Sequence, residues 1–356
     1  MSYDYKAIVV YLLDWYDYNA RILAWREKPR PYYIWVSEIM LQQTRVEAVK
    51  GYFDRFITAL PDIQALAEAE EERLLKLWEG LGYYSRVRNL KKAAGRIMNE
   101  YNGELPADYN ELLKLPGIGA YTAGAIASIA FNINVPAVDG NVLRVTKRIA
   151  GSFDDITKEK VKKEIWEDLR QIMPEERPGA FNQALMELGA MVCLPNGRPL
   201  CDRCPVMHLC KAFHMGTTMQ IPVKPQKKER RTENRTILLI EHQGRYALHK
   251  RADTGLLAGL WELPGIEEKL SKSKLISRLK ELELPVEKVL PLGEAKHIFS
   301  HVEWHMTGYY IRLAHAGLPG YDKERTVWAD KEEISNRYSI PNAFSAYVKP
   351  LLTGSS

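Results

Sequence analysis

The sequence predicts a multidomain protein in which an all-α domain is followed by a smaller α+β domain. The chain has 356 residues of which 46% are hydrophobic, more than one ordinary core comfortably fills and apolar enough to pack two. From Tyr5 to about Phe213, short amphipathic segments alternate with Pro and Gly and few long β-branched runs occur, which is a helical pattern. Beyond about residue 235, strand-like runs surround a single helical segment.

In the first half, EERLLKLWEGL and VRNLKKAAGRIMNEY repeat apolar residues at spacings of three and four, while Pro106, Pro116, Pro136 and Pro178 mark boundaries. The stretch MQIPVKPQKKERRTENR is basic and polar, contains Pro222 and Pro225 and has almost nothing to bury. It reads as a linker, either a solvated connector or an arm that touches phosphate. In the second half, TILLIEHQGRYALHKR gives two strands joined at Gln243 and Gly244, HVEWHMTGYYIRL alternates like another strand, and SKLISRLKELEL has a helical period. The boundaries are therefore read as residues 1–214, a linker at 215–235 and a second domain at 236–356.

Charge narrows the class only a little. Lys and Arg total 50 against 45 Asp and Glu, a net charge of +5 that permits a polyanionic partner without demanding one. No apolar run approaches the length of a bilayer span, and the opening MSYDYKAIVVYLLDWYD carries acids and aromatics where a signal peptide carries basic residues. The expectation is a soluble, cytoplasmic protein with no membrane partner.

Three constellations carry chemistry. In ELLKLPGIGAYTAG, Gly117 and Gly119 form a tight turn between two helical patterns. Backbone amides at such a helix start can hold a DNA phosphate, and glycine lets the phosphate approach. Twenty residues on, Asp139 precedes Gly140 and Asn141 in VPAVDGNVLRV, where it reads as a helix N-cap. The four cysteines, Cys193, Cys201, Cys204 and Cys210, all fall in one C-x7-C-x2-C-x5-C loop. That clustering points to a metal or a cluster, not to a secreted disulfide framework. A four-cysteine zinc site usually pairs two C-x-x-C knuckles and only Cys201 and Cys204 form one, so iron and sulfur fit better. In WVSEIMLQQTRVEAV, helical spacing sets Glu38 beside Ile34, Trp35 and Leu41, a mostly apolar row that would hold the acid protonated.

Together these segments resemble the MutY family of adenine DNA glycosylases, in the helix-hairpin-helix DNA glycosylase superfamily. SEIMLQQTRV matches it nearly letter for letter, the LPGIG turn and VDGNV follow at the family's spacing, and the likeness covers almost the whole chain. The resemblance implies a helix-hairpin-helix glycosylase domain with an iron-sulfur loop at 193–210 that holds a 4Fe-4S cluster. The first cysteine gap, LPNGRPL, is one residue longer than in the superfamily's loop.

The resemblance also assigns roles. Glu38 protonates the leaving adenine and Asp139 is the anion facing the sugar. Tyr121 stands beside Asn141, where endonuclease III relatives carry a Schiff-base lysine, so the expected activity is monofunctional base removal. Gln43 and Tyr83 match residues inserted into the duplex, with Leu41 and Thr44 beside them. Arg21, Trp25, Arg26 and Gln183 match the base pocket, although Ala24 replaces the proline of the family's LPWR segment. TGLLAGLWELPG resembles a Nudix-related domain without the metal-binding R-E-x-x-E-E helix of Nudix hydrolases. Within it Phe299, Ser300 and His301 match a loop that probes 8-oxoguanine. The implied partner is double-stranded DNA with adenine opposite 8-oxoguanine or guanine, bound by a monomer.

Overall fold

The computed structural model describes residues 3–225, 229–318 and 322–354. It divides into two compact units, one of Met1–Ala69 with Ser85–Gln226 and one of Glu70–Tyr84 with Lys227–Ser356. Among the described residues no helix is long and apolar enough to cross a membrane.

The first unit is built of helices. One of its cores joins Ile8 and Leu12 of helix Ile8–Asn19, Val142 and Val145 of Gly140–Ala150, Leu169 of Glu159–Ile172, and Phe181, Leu185 and Leu188 of Pro178–Met191, with Cys193 and Cys204 packed against it. The hairpin predicted around LPGIG is present. Helix Tyr109–Leu113 is capped by Asp108 and leads into the turn, and Gly119 caps helix Ala120–Phe131. Gly117 has φ +78°, and a Cβ there would stand 2.8 Å from Cβ of Asn89, so both conformation and space require glycine.

The second unit centres on one sheet. Its strands are β1 (Arg231–His242), β2 (Arg245–Lys250), β3 (Trp261–Glu262), β4 (Gly265–Ile266), β5 (Val286–Ile298), β6 (Val302–Leu313) and β7 (Thr326–Ala329). The order is β3-β2-β1-β6-β5, with β4 also on β1 and β7 on β2. The turn at Gln243 and Gly244 has positive φ at both residues, 48° and 78°, as a two-residue hairpin needs. β1 and β6 pair in parallel, and β1 is covered on both faces. Ile237 and Leu239 enter a core with Trp304, Ile334, Phe344 and Tyr347, while Leu238 and Ile240 enter another with Leu275 and Leu279 of helix Lys272–Glu281. Burial on both sides explains the unbroken apolar run TILLI where a half-exposed strand would alternate.

Two features differ from a division at residues 214 and 235. Helix Glu71–Leu77 and the turn after it belong with the second unit despite lying inside the helical stretch of sequence. Much of the supposed linker packs on the first unit, since Ile221 is buried and its carbonyl accepts from Arg148 Nε at 2.8 Å. Val223 forms a bridge with Asp155.

Candidate active site

Glu38 lies on helix Pro31–Leu41, on which every residue from Ile34 to Met40 is buried. Proline at the first position starts this helix without losing a useful N–H. Its other end is held by Arg86, whose Nη1 donates to the carbonyls of Ile39, Met40 and Gln42 at 2.9, 2.8 and 2.6 Å. A buried guanidinium thus satisfies carbonyls that have no helical partner.

Glu38 is 6% exposed. Tyr121 Oη donates to its Oε2 at 2.6 Å and has Met186 Sδ at 3.2 Å. Burial pushes the carboxyl up to about 6, the Tyr121 hydrogen bond and the charge of Arg26 oppose the rise, and the charge of Asp139 adds to it. Burial, reinforced by Glu38 and Asp139, keeps the Tyr121 phenol protonated well beyond its ordinary range. Tyr121 is therefore a fixed donor and Glu38 an acid whose proton is available near neutrality.

Asp139 caps helix Gly140–Ala150 in extended backbone. Its Oδ1 accepts from the N–H groups of Asn141 and Val142, both at 2.8 Å, and its Oδ2 accepts from Asn141 Nδ2 at 2.7 Å. Burial raises this carboxyl too, against the three N–H donors and the charge of Arg144. Three donors and no paired acceptor are what a carboxylate needs in a dry site. The preceding backbone is pinned by Asn182, which accepts from Ala137 N–H at 3.0 Å and donates to the Val135 carbonyl at 2.9 Å.

Behind Asp139 the contacts continue toward the cysteines. Arg144 donates to Asn141 Oδ1 at 2.9 Å, to the Gly189 carbonyl at 2.8 Å and to the Cys193 carbonyl at 2.9 Å. Gly189 permits this approach, because a Cβ there would stand 2.6 Å from Cβ of Asn141. Arg148 Nη1 donates to Cys193 Sγ at 3.2 Å and the Arg148 carbonyl accepts from Cys210 Sγ at 3.3 Å. Cys193, Cys201, Cys204 and Cys210 are free thiols lining one cavity with Val145, Leu188 and Val206. Burial raises the thiols of Cys201, Cys204 and Cys210, that of Cys204 to about 12. Among the described residues no three His, Cys, Asp or Glu side chains form a ready-made site for a single ion. The four cysteines share this largely apolar cavity, and four thiolates in a soft, apolar setting suit an iron-sulfur cluster.

Two of the residues expected to line a base pocket, Arg21 and Arg26, converge on a carboxylate that the sequence did not single out. Glu187, 1% exposed, accepts from Arg21 Nε at 2.8 Å, Arg21 Nη2 at 2.6 Å and Arg26 Nη2 at 2.9 Å. Burial alone would raise Glu187, but the two guanidiniums outweigh it and hold the carboxyl below its ordinary value. Gln183 lies one turn before it on the same helix and donates to the Gly179 carbonyl at 3.3 Å. Trp25 is buried with its ring edge-on to Phe53 at 5.1 Å. Leu41 and Thr44 are half-buried, and Thr44 Oγ1 accepts from Arg86 at 3.2 Å. Gln43 is exposed with φ 58°. In the second unit Tyr83, 46% exposed, has φ 48° and its hydroxyl lies 3.1 Å from Ser300 Oγ. Phe299 is half-buried against Trp304, and Ser300 and His301 are exposed in the turn between β5 and β6.

Comparison with known proteins fits this geometry. Residues 36–171 match the model of the HhH-GPD superfamily base excision DNA repair proteins and residues 235–349 match that of the NUDIX domain. The class is therefore that of helix-hairpin-helix base excision repair enzymes with a Nudix-like second domain. The chain is 37% identical to the adenine DNA glycosylase of Mus musculus, over 94% of this chain and 76% of that protein. It is 32% identical to that of Buchnera aphidicola subsp. Schizaphis graminum, over 92% of this chain and 93% of that protein. It belongs to the adenine DNA glycosylase family. Among solved structures it resembles a trapped endonuclease III–DNA covalent intermediate, with a TM-score of 0.51 and 27% identity over 61% of this chain and 99% of that one.

Proposed function

We propose that this chain hydrolyses the N-glycosidic bond of adenine mispaired with 8-oxoguanine, and less readily with guanine, in double-stranded DNA. The observation that carries the reading is the pair of unlike carboxyls. Glu38 is buried and raised to about 6, while Asp139 is wrapped in three N–H donors. Breaking a glycosidic bond calls for one carboxyl that gives a proton and one that stays charged. Glu38 protonates N7 of the flipped adenine, the bond from the sugar carbon to N9 breaks, and Asp139 stabilises the sugar cation until water adds to that carbon. Arg21, Arg26 and Gln183 line the pocket that receives the base, with Glu187 fixing the two arginines. The 117–119 turn, at the start of helix Ala120–Phe131, holds a phosphate of the backbone through amides at that helix start.

Recognition of the opposite base falls to Tyr83 with Phe299, Ser300 and His301. 8-Oxoguanine differs from guanine by an oxygen at C8 and a hydrogen on N7, groups within the reach of a hydroxyl or an imidazole. The four cysteines would hold a 4Fe-4S cluster that, when bound, serves as a cross-link of the 193–210 loop. Incubation with duplexes bearing adenine opposite 8-oxoguanine, guanine, cytosine or thymine, followed by alkali, tests the reading. Cleavage at adenine, fastest opposite 8-oxoguanine and dependent on alkali, is expected. Release of thymine or an oxidised pyrimidine, or efficient strand scission without alkali, overturns it.

A Tyr121→Lys variant is expected to form a borohydride-trappable adduct with a duplex that already contains an abasic site. The amine would stand near the groups Tyr121 now contacts, and a lysine there can attack the sugar aldehyde. Adenine release should slow in the same protein, because an ammonium beside Glu38 favours its ionised form and withdraws the acid. A folded, DNA-binding variant that gives no adduct places the 121 side chain away from the sugar.

A further inference from the structure

The segment Glu70–Tyr84 belongs with the second unit, and it is tied there by polar contacts to residues 334–342. Lys76 Nζ donates to the carbonyls of Ile334 and Tyr338, both at 3.1 Å, at and beyond helix Lys331–Asn336. Ser339 Oγ donates to the Leu75 carbonyl at 3.1 Å. The Ile340 N–H donates to the Glu79 carboxylate at 2.6 Å, and Asn342 Nδ2 donates to the Gly80 carbonyl at 3.3 Å. Glu79 is itself paired with Lys76 at 2.7 Å.

Tyr83 follows this clamp on a tight stretch of backbone. Gly80, Gly82 and Tyr83 have φ of 100°, 71° and 48°, and a left-handed tyrosine persists only where its surroundings impose it. Trp78 Nε1 donates to the Gly82 carbonyl at 3.1 Å within the turn. The same clamp segment supports the partner of Tyr83. The Ser339 carbonyl accepts from Trp261 N–H at 3.2 Å. Phe344 packs 6.1 Å from Trp304, and Trp304 packs 4.9 Å from Phe299, the neighbour of Ser300. Both ends of the Tyr83–Ser300 contact are thus built from residues 338–344.

We propose that Glu79 and Asn342 are positioning residues for damage discrimination, which fix the turn that presents Tyr83 beside Ser300 while neither contacts a base. The inference rests on the reading of Tyr83 as part of the 8-oxoguanine reader. Its test uses the full chain with Glu79→Ala, Glu79→Gln and Asn342→Ala, each alone and combined with Tyr83→Ala. Single-turnover excision from 8-oxoguanine:adenine and guanine:adenine duplexes gives a preference ratio, and thermal unfolding reports stability.

Loss of one fixing hydrogen bond should lower the ratio about fivefold in Glu79→Ala, and by less in Asn342→Ala. Glu79→Gln, whose amide oxygen can still accept from Ile340 N–H, should keep it. In the Tyr83→Ala chain, Glu79→Ala and Asn342→Ala should change the ratio no further. The inference is overturned if Tyr83→Ala lowers the ratio but Glu79→Ala and Asn342→Ala do not, or if their effects add in full to that of Tyr83→Ala. A ratio untouched by Tyr83→Ala itself removes the reading beneath it, which is a separate and recognisable result. Should Glu79→Ala fail to fold, Asn342→Ala, an exposed side chain, decides the matter by the same two criteria.

Discussion

An Asp139→Asn protein is expected to bind a mispaired duplex and to excise almost nothing from it. Asparagine caps a helix about as well as aspartate, so its oxygen could still accept from the Asn141 and Val142 N–H groups now at 2.8 Å. Its other terminus becomes an NH2 facing Asn141 Nδ2, which at present donates at 2.7 Å, and two donors then meet. Asn141 cannot simply turn its amide over, because its Oδ1 accepts from Arg144 at 2.9 Å. The structural cost is therefore about one buried hydrogen bond, on the order of 1 kcal/mol, which a folded domain survives. The chemical cost is larger. A neutral amide cannot oppose the positive charge that grows on the sugar as the base leaves, and loss of such preorganised stabilisation should slow excision about a thousandfold or more. Single-turnover excision and duplex affinity, measured in parallel, separate the two effects. Excision near the parent rate would remove Asp139 from opposite the sugar.

What could be read in advance was local. The Asp139 cap, the glycine turn before helix Ala120–Phe131 and the Gln243–Gly244 hairpin are each set by a few adjacent residues, and composition alone reveals them. Glu38 has apolar neighbours about one turn away on the helix, but spacing alone leaves a solvated glutamate open, and it is the match of SEIMLQQTRV to the family that singles it out. What escaped needs contacts across long stretches of chain. Glu187 meets Arg21 and Arg26 across more than a hundred and sixty residues; its one local signal is a lone carboxylate in the otherwise apolar run ALMELGAM. Arg86 sits in a segment that reads as an ordinary charged helix start, yet it closes the helix carrying Glu38. Residues 70–84 have the same amphipathic period as their neighbours, and nothing in that period says which core their apolar face enters.

Glu38→Gln is the second substitution expected to stop excision, and its pH behaviour identifies the cause. The amide oxygen can still accept from Tyr121, which now donates at 2.6 Å, and the side chain keeps its volume, so the pocket should remain intact. It has no proton to give to N7 and adenine must then leave as an anion, which should cost about a hundredfold or more in rate. In the parent, the active form of Glu38 is the protonated one, and burial sets its midpoint at about 6. Excision should therefore fall as pH rises through 6, approaching about tenfold per unit. On the acid side it should fall as pH drops through the raised midpoint of Asp139, whose active form is the anion. The residual activity of the Gln variant should lack the alkaline limb and keep the acid one. Stability gives an independent check with its own sign. A carboxyl raised from 4.5 to about 6 on folding binds more protons in the folded chain, so its stabilising contribution is complete below 4.5 and is lost as pH rises through 6. At pH 8 the parent has given up about 2 kcal/mol that the Gln variant never depended on. Thermal or urea unfolding should thus show the variant gaining on its parent between pH 5 and pH 8. A parent whose excision is flat across that interval, together with a variant that gains nothing, would mean that Glu38 is ionised throughout and that the proton comes from another group.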